Sequence, residues 1–335
     1  MAHNVDMTAV QKVLVSAWKD EIPDKNAVLM DATCYEVYIR FPTDVKLLWE
    51  GCQWLWEKQI PTLCKRSGCR QPRSKYKEQK KKTNVYSKLK KKTYRKTRAR
   101  RNALLKLLSK GIYAYQELLD QLRGGGLTVN EASTFKTIKT VYLQQKHLYD
   151  YPKVKIRDRI VSIYKPYIRA IVRGKENKSV EFGPKVHKMK VGGISILEHI
   201  NYNAFNECKR LKISTLKHKL LLGKCSLLAA DAIYATNENR RFTTTEGIVN
   251  NFVRKGRGKD DKSTRQMKAL LNKERSTRLE GSFGNEKEHY LLKKIKARKS
   301  ETEIVWIFFG VHTANAVLIA KRRRKQQQEL QKRAA

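Results

Sequence analysis

Two short apolar runs far apart in the chain end alike: Ala27-Val28-Leu29-Met30-Asp31-Ala32 and Leu227-Leu228-Ala229-Ala230-Asp231-Ala232. Neither alternates with polar residues, so each reads as a strand buried on both faces that delivers an aspartate at its C-terminal end. Such strands sit inside a sheet covered by helices, which points to an α/β fold. A third acid, Glu280, stands in Arg275-Ser-Thr-Arg-Leu-Glu-Gly-Ser-Phe-Gly at the start of a helical pattern. Two strand-end aspartates and one helix glutamate are able to converge on a divalent cation.

The 335 residues carry 73 Lys and Arg against 31 Asp and Glu, a formal charge of +42. A polyanion is the direct partner for such an imbalance, and nucleic acid is favoured over a membrane surface. Each lysine or arginine that neutralises a phosphate releases counterion, so affinity is expected to fall steeply with salt. The most apolar stretch, 304–320, is shorter than the ~20 residues that span a bilayer and includes His312, Thr313 and Asn315, so a buried core helix is expected. The N-terminus lacks the charged-then-apolar form of a signal peptide. Six cysteines without framework spacing fit a reducing, cytoplasmic setting. The pair Cys64 and Cys69 has no second pair beside it, and no zinc is assigned.

Four segments are expected. Residues 1–42 hold the N-terminal segment and the first strand. A basic, mainly helical block covers 43–175. The remainder of the α/β domain begun by the first strand covers 176–320, and a basic tail follows at 321–335. Within the block, Pro42 opens a helix with Val45, Leu48, Trp49, Cys52, Leu55 and Trp56 at helical spacing. Residues 65–101 then carry eighteen Lys and Arg and one acid, Glu78, with Tyr76, Tyr86 and Tyr94 interleaved. Such a run is either disordered or a helix lying on phosphate. Helices are expected over 102–122, ending at Gly124-Gly125-Gly126, from the Thr128 cap to about 147, and over 155–167. A hairpin turning at Gly192-Gly193, a helix over 203–222, the strand ending at Asp231, a helix over 237–245 and a strand over 248–253 complete the order.

The blocks Asp31-Ala-Thr-Cys-Tyr-Glu with Arg40-Phe-Pro-Thr-Asp-Val-Lys-Leu-Leu-Trp-Glu, Ala230-Asp-Ala-Ile-Tyr-Ala-Thr-Asn-Glu-Asn-Arg-Arg-Phe, and Glu280-Gly-Ser-Phe-Gly-Asn-Glu-Lys with His312-Thr-Ala-Asn carry a resemblance. In this order they resemble the DDE transposases of bacterial insertion sequences over most of residues 25–320. The resemblance implies a ribonuclease-H-like mixed sheet with flanking helices and a large, basic, mainly helical insertion after the first strand. It also implies catalytic, metal-binding roles for Asp31, Asp231 and Glu280. Lys287 stands seven residues after the glutamate, where the family often carries a lysine. The family's arginine usually lies four residues before the glutamate; Ser276 stands there, with Arg275 and Arg278 on either side, and no tyrosine lies just upstream. Related chains usually begin with a separate helical DNA-binding domain, whereas Asp31 here comes after only about thirty residues.

Phosphodiester cleavage or transfer requires charge stabilisation on both the attacking and leaving oxygens, which two Mg²⁺ ions roughly 3.5–4 Å apart supply, with Mn²⁺ as a substitute. Such ions take carboxylate oxygens, so three acids suffice without histidine or cysteine. Asp31 is expected to bridge the ions, Asp231 and Glu280 to hold one each, and Lys287 to hold a phosphate. Arg275, Arg278, Lys80, Lys81, Lys82, Lys90, Lys91, Lys92, Arg95, Arg98, Arg100 and Arg101 are the expected DNA contacts. Trp49, Trp54 and Trp56 are read as core packing rather than stacking on flipped bases, and His187, His289 and His312 as packing or surface residues. The expectation is a nucleoid-associated, insertion-sequence transposase that cuts double-stranded DNA at element ends and joins the 3′-hydroxyls to target DNA as a homodimer. Two alternatives stay open: an inactive or truncated remnant that only binds DNA, and a basic structural protein, which has no reason to carry strand-end acids.

Overall fold

A computed structural model describes residues 5–122, 127–172 and 180–334. In chain order the elements begin with helix α1 (Met7–Ala17) and strand β1 (Ala27–Cys34). They continue with α2 (Asp44–Gln53), a π-helical segment (Trp54–Gln59), α3 (Ile60–Ser67), α4 (Tyr76–Lys88), α5 (Tyr94–Gln121) and α6 (Val129–Asp150). Next come β2 (Ala170–Val172), β3 (Val180–Phe182), β4 (Lys185–Val191), β5 (Ile194–Asn201), α7 (Leu211–Leu222) and β6 (Leu227–Ala230). The order closes with α8 (Asn237–Thr245), β7 (Val249–Asn250), α9 (Lys262–Glu274), a second π-helical segment (Arg275–Glu280), α10 (Gly281–His289) and α11 (Ser300–Ala334).

Two compact units result: one is the chain up to Tyr38 together with the chain from Ala170 onward, the other is Ile39–Arg169. The first break falls at Tyr38, past the end of β1, because the chain is tied down up to that point: Tyr38 N–H donates to Ile295 O at 2.8 Å. The expected second boundary, after residue 175, and the glycine run Gly124-Gly125-Gly126 lie outside the described residues.

The first unit is built on a mixed five-stranded sheet of order β5-β4-β1-β6-β7. β1 is antiparallel to β4 and parallel to β6, and β6 is parallel to β7. The β4–β5 hairpin turns at Gly192 and Gly193, whose φ values of +50° and +90° exclude a β-carbon without strain. A Cβ on Gly192 would also lie 2.2 Å from Pro23 O. Helices cover both faces. Val28, Met30, Ala230, Ile196, Leu211 and Ile319 belong to one apolar cluster, while Leu29, Ala229, Leu271, Leu279 and Phe283 form another. The period of two along β1 thus places Leu29 and Asp31 on the face that meets α9 and α10.

α11 is the one described helix long and apolar enough to cross a bilayer, with mean hydropathy 1.6 over its most apolar window, 39% of which is buried in the protein. His312 and Asn315 face the unit's interior while Thr313 is exposed: Asn315 accepts from Ser195 N–H at 2.9 Å and donates to Ser195 O at 2.7 Å. His312 is 3.1 Å from Gln11 Oε1, and burial pushes its pKa down to about 4. The tail expected at 321–335 is a continuation of α11 through Ala334. Arg322 donates to the carbonyls of Glu21 and Gly192, and Arg323 to the Glu21 carboxylate, so packing of cationic side chains prolongs the helix.

The second unit is helical. Thr43, Thr93 and Thr128 cap α2, α5 and α6, the last with a full capping box to Glu131. Trp54 and Trp56 are buried in its core with Leu104, Leu108, Tyr115 and Ile138, and Trp49 stacks on Tyr76 with ring centroids 5.3 Å apart. The basic run is ordered, forming α4 and the first turns of α5. Residues 155–167 are not the expected helix. Ile160 and Ile163 reach the core from an irregular segment whose Ile160 N–H donates to Gln144 Oε1 at 2.9 Å. An i, i+3 apolar spacing alone did not distinguish the two. All six cysteines are free thiols.

Candidate functional site

β6 pairs with β1 up to Met30 opposite Ala230, so Asp31 and Asp231 leave the same rung of the sheet side by side. Asp231 follows β6 as expected, and its carboxylate caps the next turn by accepting from Ala232 N–H at 2.7 Å. Asp31 is not at a strand end: β1 runs on to Cys34 because residues 31–34 still pair with β4. Its carboxylate accepts from Ala32 N–H at 2.7 Å.

Glu280 also departs from expectation, lying between α9 and α10 in one long helical run rather than in a first turn. The residues Arg275–Glu280 form a π-helical turn. In an α-helix a separation of five is about 1.4 turns, which puts two residues on different faces. The i→i+5 pattern of a π turn absorbs one extra residue and aligns them. Arg275 and Glu280 therefore share a face, with Nη1 3.1 Å from Glu280 Oε1. The same guanidinium lies 3.4 Å from Asp31 Oδ2 and 4.0 Å from Asp231 Oδ1. The three expected acids do converge, and what they converge on is Arg275.

Asp31 is the most enclosed of the three, its side chain 16% exposed against 54% for Asp231 and 50% for Glu280. Burial raises its pKa to about 6, and the neighbouring charges of Glu207 and Asp231 push the same way against Ala32 N–H and Arg275. Glu207 is itself paired with Lys185 at 2.6 Å.

Lys188 stands opposite Asp31 on β4 and is fully buried. Its Nζ donates to Glu286 Oε1 at 2.5 Å and to Ser282 Oγ at 3.0 Å, both on α10. Tyr35 O–H donates to the other Glu286 oxygen. Burial lowers the Lys188 pKa and raises that of Tyr35. This buried charge cluster anchors α10, and with it Glu280, to the sheet. Lys287 is half-buried on α10, with Nζ 3.3 Å from Thr33 Oγ1 on β1.

Behind Asp231 a second polar chain runs inward. Tyr234 OH is 2.8 Å from His187 Nε2, His187 Nδ1 is 3.1 Å from Glu198 Oε2, and Arg210 holds Glu198 with two N–H groups. Burial works against the Glu198 carboxylate, but hydrogen bonds and charges from His187 and Arg210 outweigh it and bring its pKa down to about 2. His187 thus packs, as expected, but in a hydrogen-bonded chain.

The expected DNA contacts divide. Lys80, Lys81, Lys82, Lys90, Lys91, Lys92 and Arg95 are exposed on α4, the following turn and the start of α5. Lys80 pairs with Glu57 at 2.6 Å and Lys82 with Glu78 at 2.5 Å. Arg98, Arg100 and Arg101 turn instead toward side chains of their own unit, because their angle about α5 differs from that of Arg95. Arg98 lies over the Tyr149 ring at 4.3 Å, Arg101 pairs with Asp44 at 3.4 Å, and Arg100, only 7% exposed, donates to Gln79. Arg278 is exposed and pairs with Glu274 at 2.7 Å.

As placed, no three acid, histidine or cysteine side chains among the described residues form a cluster able to hold a metal ion. Arg275 takes up the space between the acids. The donor set nevertheless fits a hard divalent ion: carboxylates alone, from three elements, around a point where one cation already sits. Lys188, Glu286, Glu207 and the Tyr234–Arg210 chain were missed by the sequence reading. Lys188 and Glu286 look like ordinary surface charges in a basic chain, and no local pattern marks them. Comparison with protein-family models, with curated proteins and with solved structures finds no match for this chain.

Proposed function

We propose that this chain is a metal-dependent DNA strand-transfer enzyme of the insertion-sequence transposase type, acting through Asp31, Asp231 and Glu280. The reading takes the five-stranded sheet as ribonuclease-H-like and the helical unit of residues 39–169 as a basic insertion after its first strand. The observation that carries it is the convergence of three acids from β1, the end of β6 and a helix on one cation. A structural DNA-binding protein has no use for such a point, since concentrated carboxylates repel the phosphates it needs to hold.

Two Mg²⁺ or Mn²⁺ ions, when bound by these acids, would supply the charge that attacking and leaving oxygens need. The chain's own residues do the rest. The Lys188–Glu286 pair fixes α10 against the sheet, so Glu280 faces Asp31. Lys287 offers a cation to the substrate backbone beside β1, and the lysines of α4 and the turn after it offer sequence-independent affinity. Paired element ends make a homodimer on double-stranded DNA the proposed assembly, in the bacterial cytoplasm.

The test is nicking of a supercoiled plasmid carrying the DNA that flanks this reading frame, in Mg²⁺, Mn²⁺ or EDTA, by wild type and Asp231→Asn. Metal-dependent nicking lost in the variant, with equal DNA binding, is the expected result. Equal binding without nicking by either protein would favour the alternative of an inactive, DNA-binding remnant, for which the neutralisation of the acids by Arg275 also speaks.

A further inference from the structure

We infer that Arg275 is the resting counter-ion of the acid site, and that a divalent cation must displace its guanidinium to load. This rests on the reading of Asp31, Asp231 and Glu280 as metal ligands.

Three observations lead there. One guanidinium reaches all three carboxylates, at 3.4, 4.0 and 3.1 Å. Its side chain is only 18% exposed, although the chain around it is rich in solvated arginine. The π-helical turn spans Arg275–Glu280, so the one irregularity in the α9–α10 run is the feature that puts these two residues on a common face.

Three carboxylates carry three negative charges and the guanidinium returns one. The site is left attractive to a divalent ion but occupied by a rival for the same oxygens. A guanidinium has five donors in a planar fork and cannot lose its proton, so it departs only by moving. Metal loading and the position of Arg275 are thus linked: each lowers the affinity of the acids for the other. The released arginine becomes available to a substrate phosphate, for which its fork is suited.

The experiment is Mn²⁺ titration of the full chain without DNA, by calorimetry and by electron paramagnetic resonance of free Mn²⁺, for wild type, Arg275→Ala, Arg275→Gln and Asp231→Asn. The expected result is Mn²⁺ affinity at least tenfold higher in Arg275→Ala and Arg275→Gln than in wild type, and lost in Asp231→Asn. Binding that depends on Asp231 but is unchanged or weakened without Arg275 overturns the counter-ion role while leaving the metal site standing. No binding, or binding indifferent to Asp231, overturns the metal site and the counter-ion role together. Phenylglyoxal labelling of wild type, read by peptide mass spectrometry, guards against a variant that does not fold. Mg²⁺ should raise labelling of Arg275 severalfold over EDTA, and unchanged or reduced labelling refutes the displacement.

Discussion

Replacing Asp31 by Asn should make the metal-free protein more stable at neutral pH. Asp31 shares the β1 face of Leu29, which packs with Leu271, Leu279 and Phe283, and burial lifts its pKa from 3.8 to about 6. A tenfold change in proton affinity is about 1.4 kcal/mol, so the native state gives up about 3 kcal/mol to keep this carboxylate ionised at pH 7.5. The sign follows from proton uptake: between about pH 4 and 6 the native chain holds a proton that the unfolded chain has lost, so stability falls as pH rises through that window. Asn keeps the shape and has no charge to desolvate. Urea unfolding in EDTA should show Asp31→Asn more stable than wild type by about 3 kcal/mol at pH 7.5, which in thermal unfolding is about 6–12 °C in midpoint for a unit of this size. The gain should shrink below pH 6 and approach zero near pH 4. A variant no more stable than wild type at pH 7.5, or a gain that does not change with pH, would refute the reasoning. If Asp31 is a metal ligand, as proposed above, added Mg²⁺ should erode the gain, because metal binding to the wild type stabilises its native state.

The buried pair of Lys188 and Glu286 should behave asymmetrically. Lys188→Met alone leaves a buried carboxylate and should cost about 3–5 kcal/mol in urea unfolding, whereas Lys188→Met with Glu286→Leu should recover most of it. Equal loss in single and double variants would mean that packing, not charge, sets the cost. Glu198, held at about 2, contributes stability above its ordinary pKa that is lost as pH falls from about 4.5 towards 2. Arg210→Ala should therefore move acid unfolding, followed by circular dichroism, to higher pH, and an unmoved midpoint counts against that ion pair. Changing Lys90, Lys91 and Lys92 to Ala should weaken duplex binding and reduce the slope of log K against log salt by about 2–3, while an unchanged slope would remove that turn from the DNA surface.

The two apolar runs were enough to place β1 and β6 in one covered sheet, because a strand buried on both faces has no solvent side and hence no alternation. The Thr128 cap, the Gly192-Gly193 hairpin and the core role of the tryptophans were equally legible, since each depends on residues within a turn or two of one another. Residues 155–167 show the limit of such local patterns: Ile160 and Ile163 stand three apart, as in a helix, yet the backbone is irregular and Ile160 N–H donates to Gln144. In the basic run, composition shows an excess of cations but not which of them are exposed. The angle of each residue about α5 decides that Arg95 is exposed while Arg100 is buried. The acid site divides in the same way. Asp231 stands at the end of its strand as the local pattern implies, whereas Asp31 lies within β1 and Glu280 within a helical run, and the cation among them could not be chosen by counting back from Glu280. A π turn shifts the register by one residue, and whether a helix takes that turn is settled by what it packs against. Lys188 and Glu286 belong wholly to tertiary structure. Ninety-eight positions separate them, and only when α10 closes over the sheet do a lysine and a glutamate among many become the buried pair that holds the site in place.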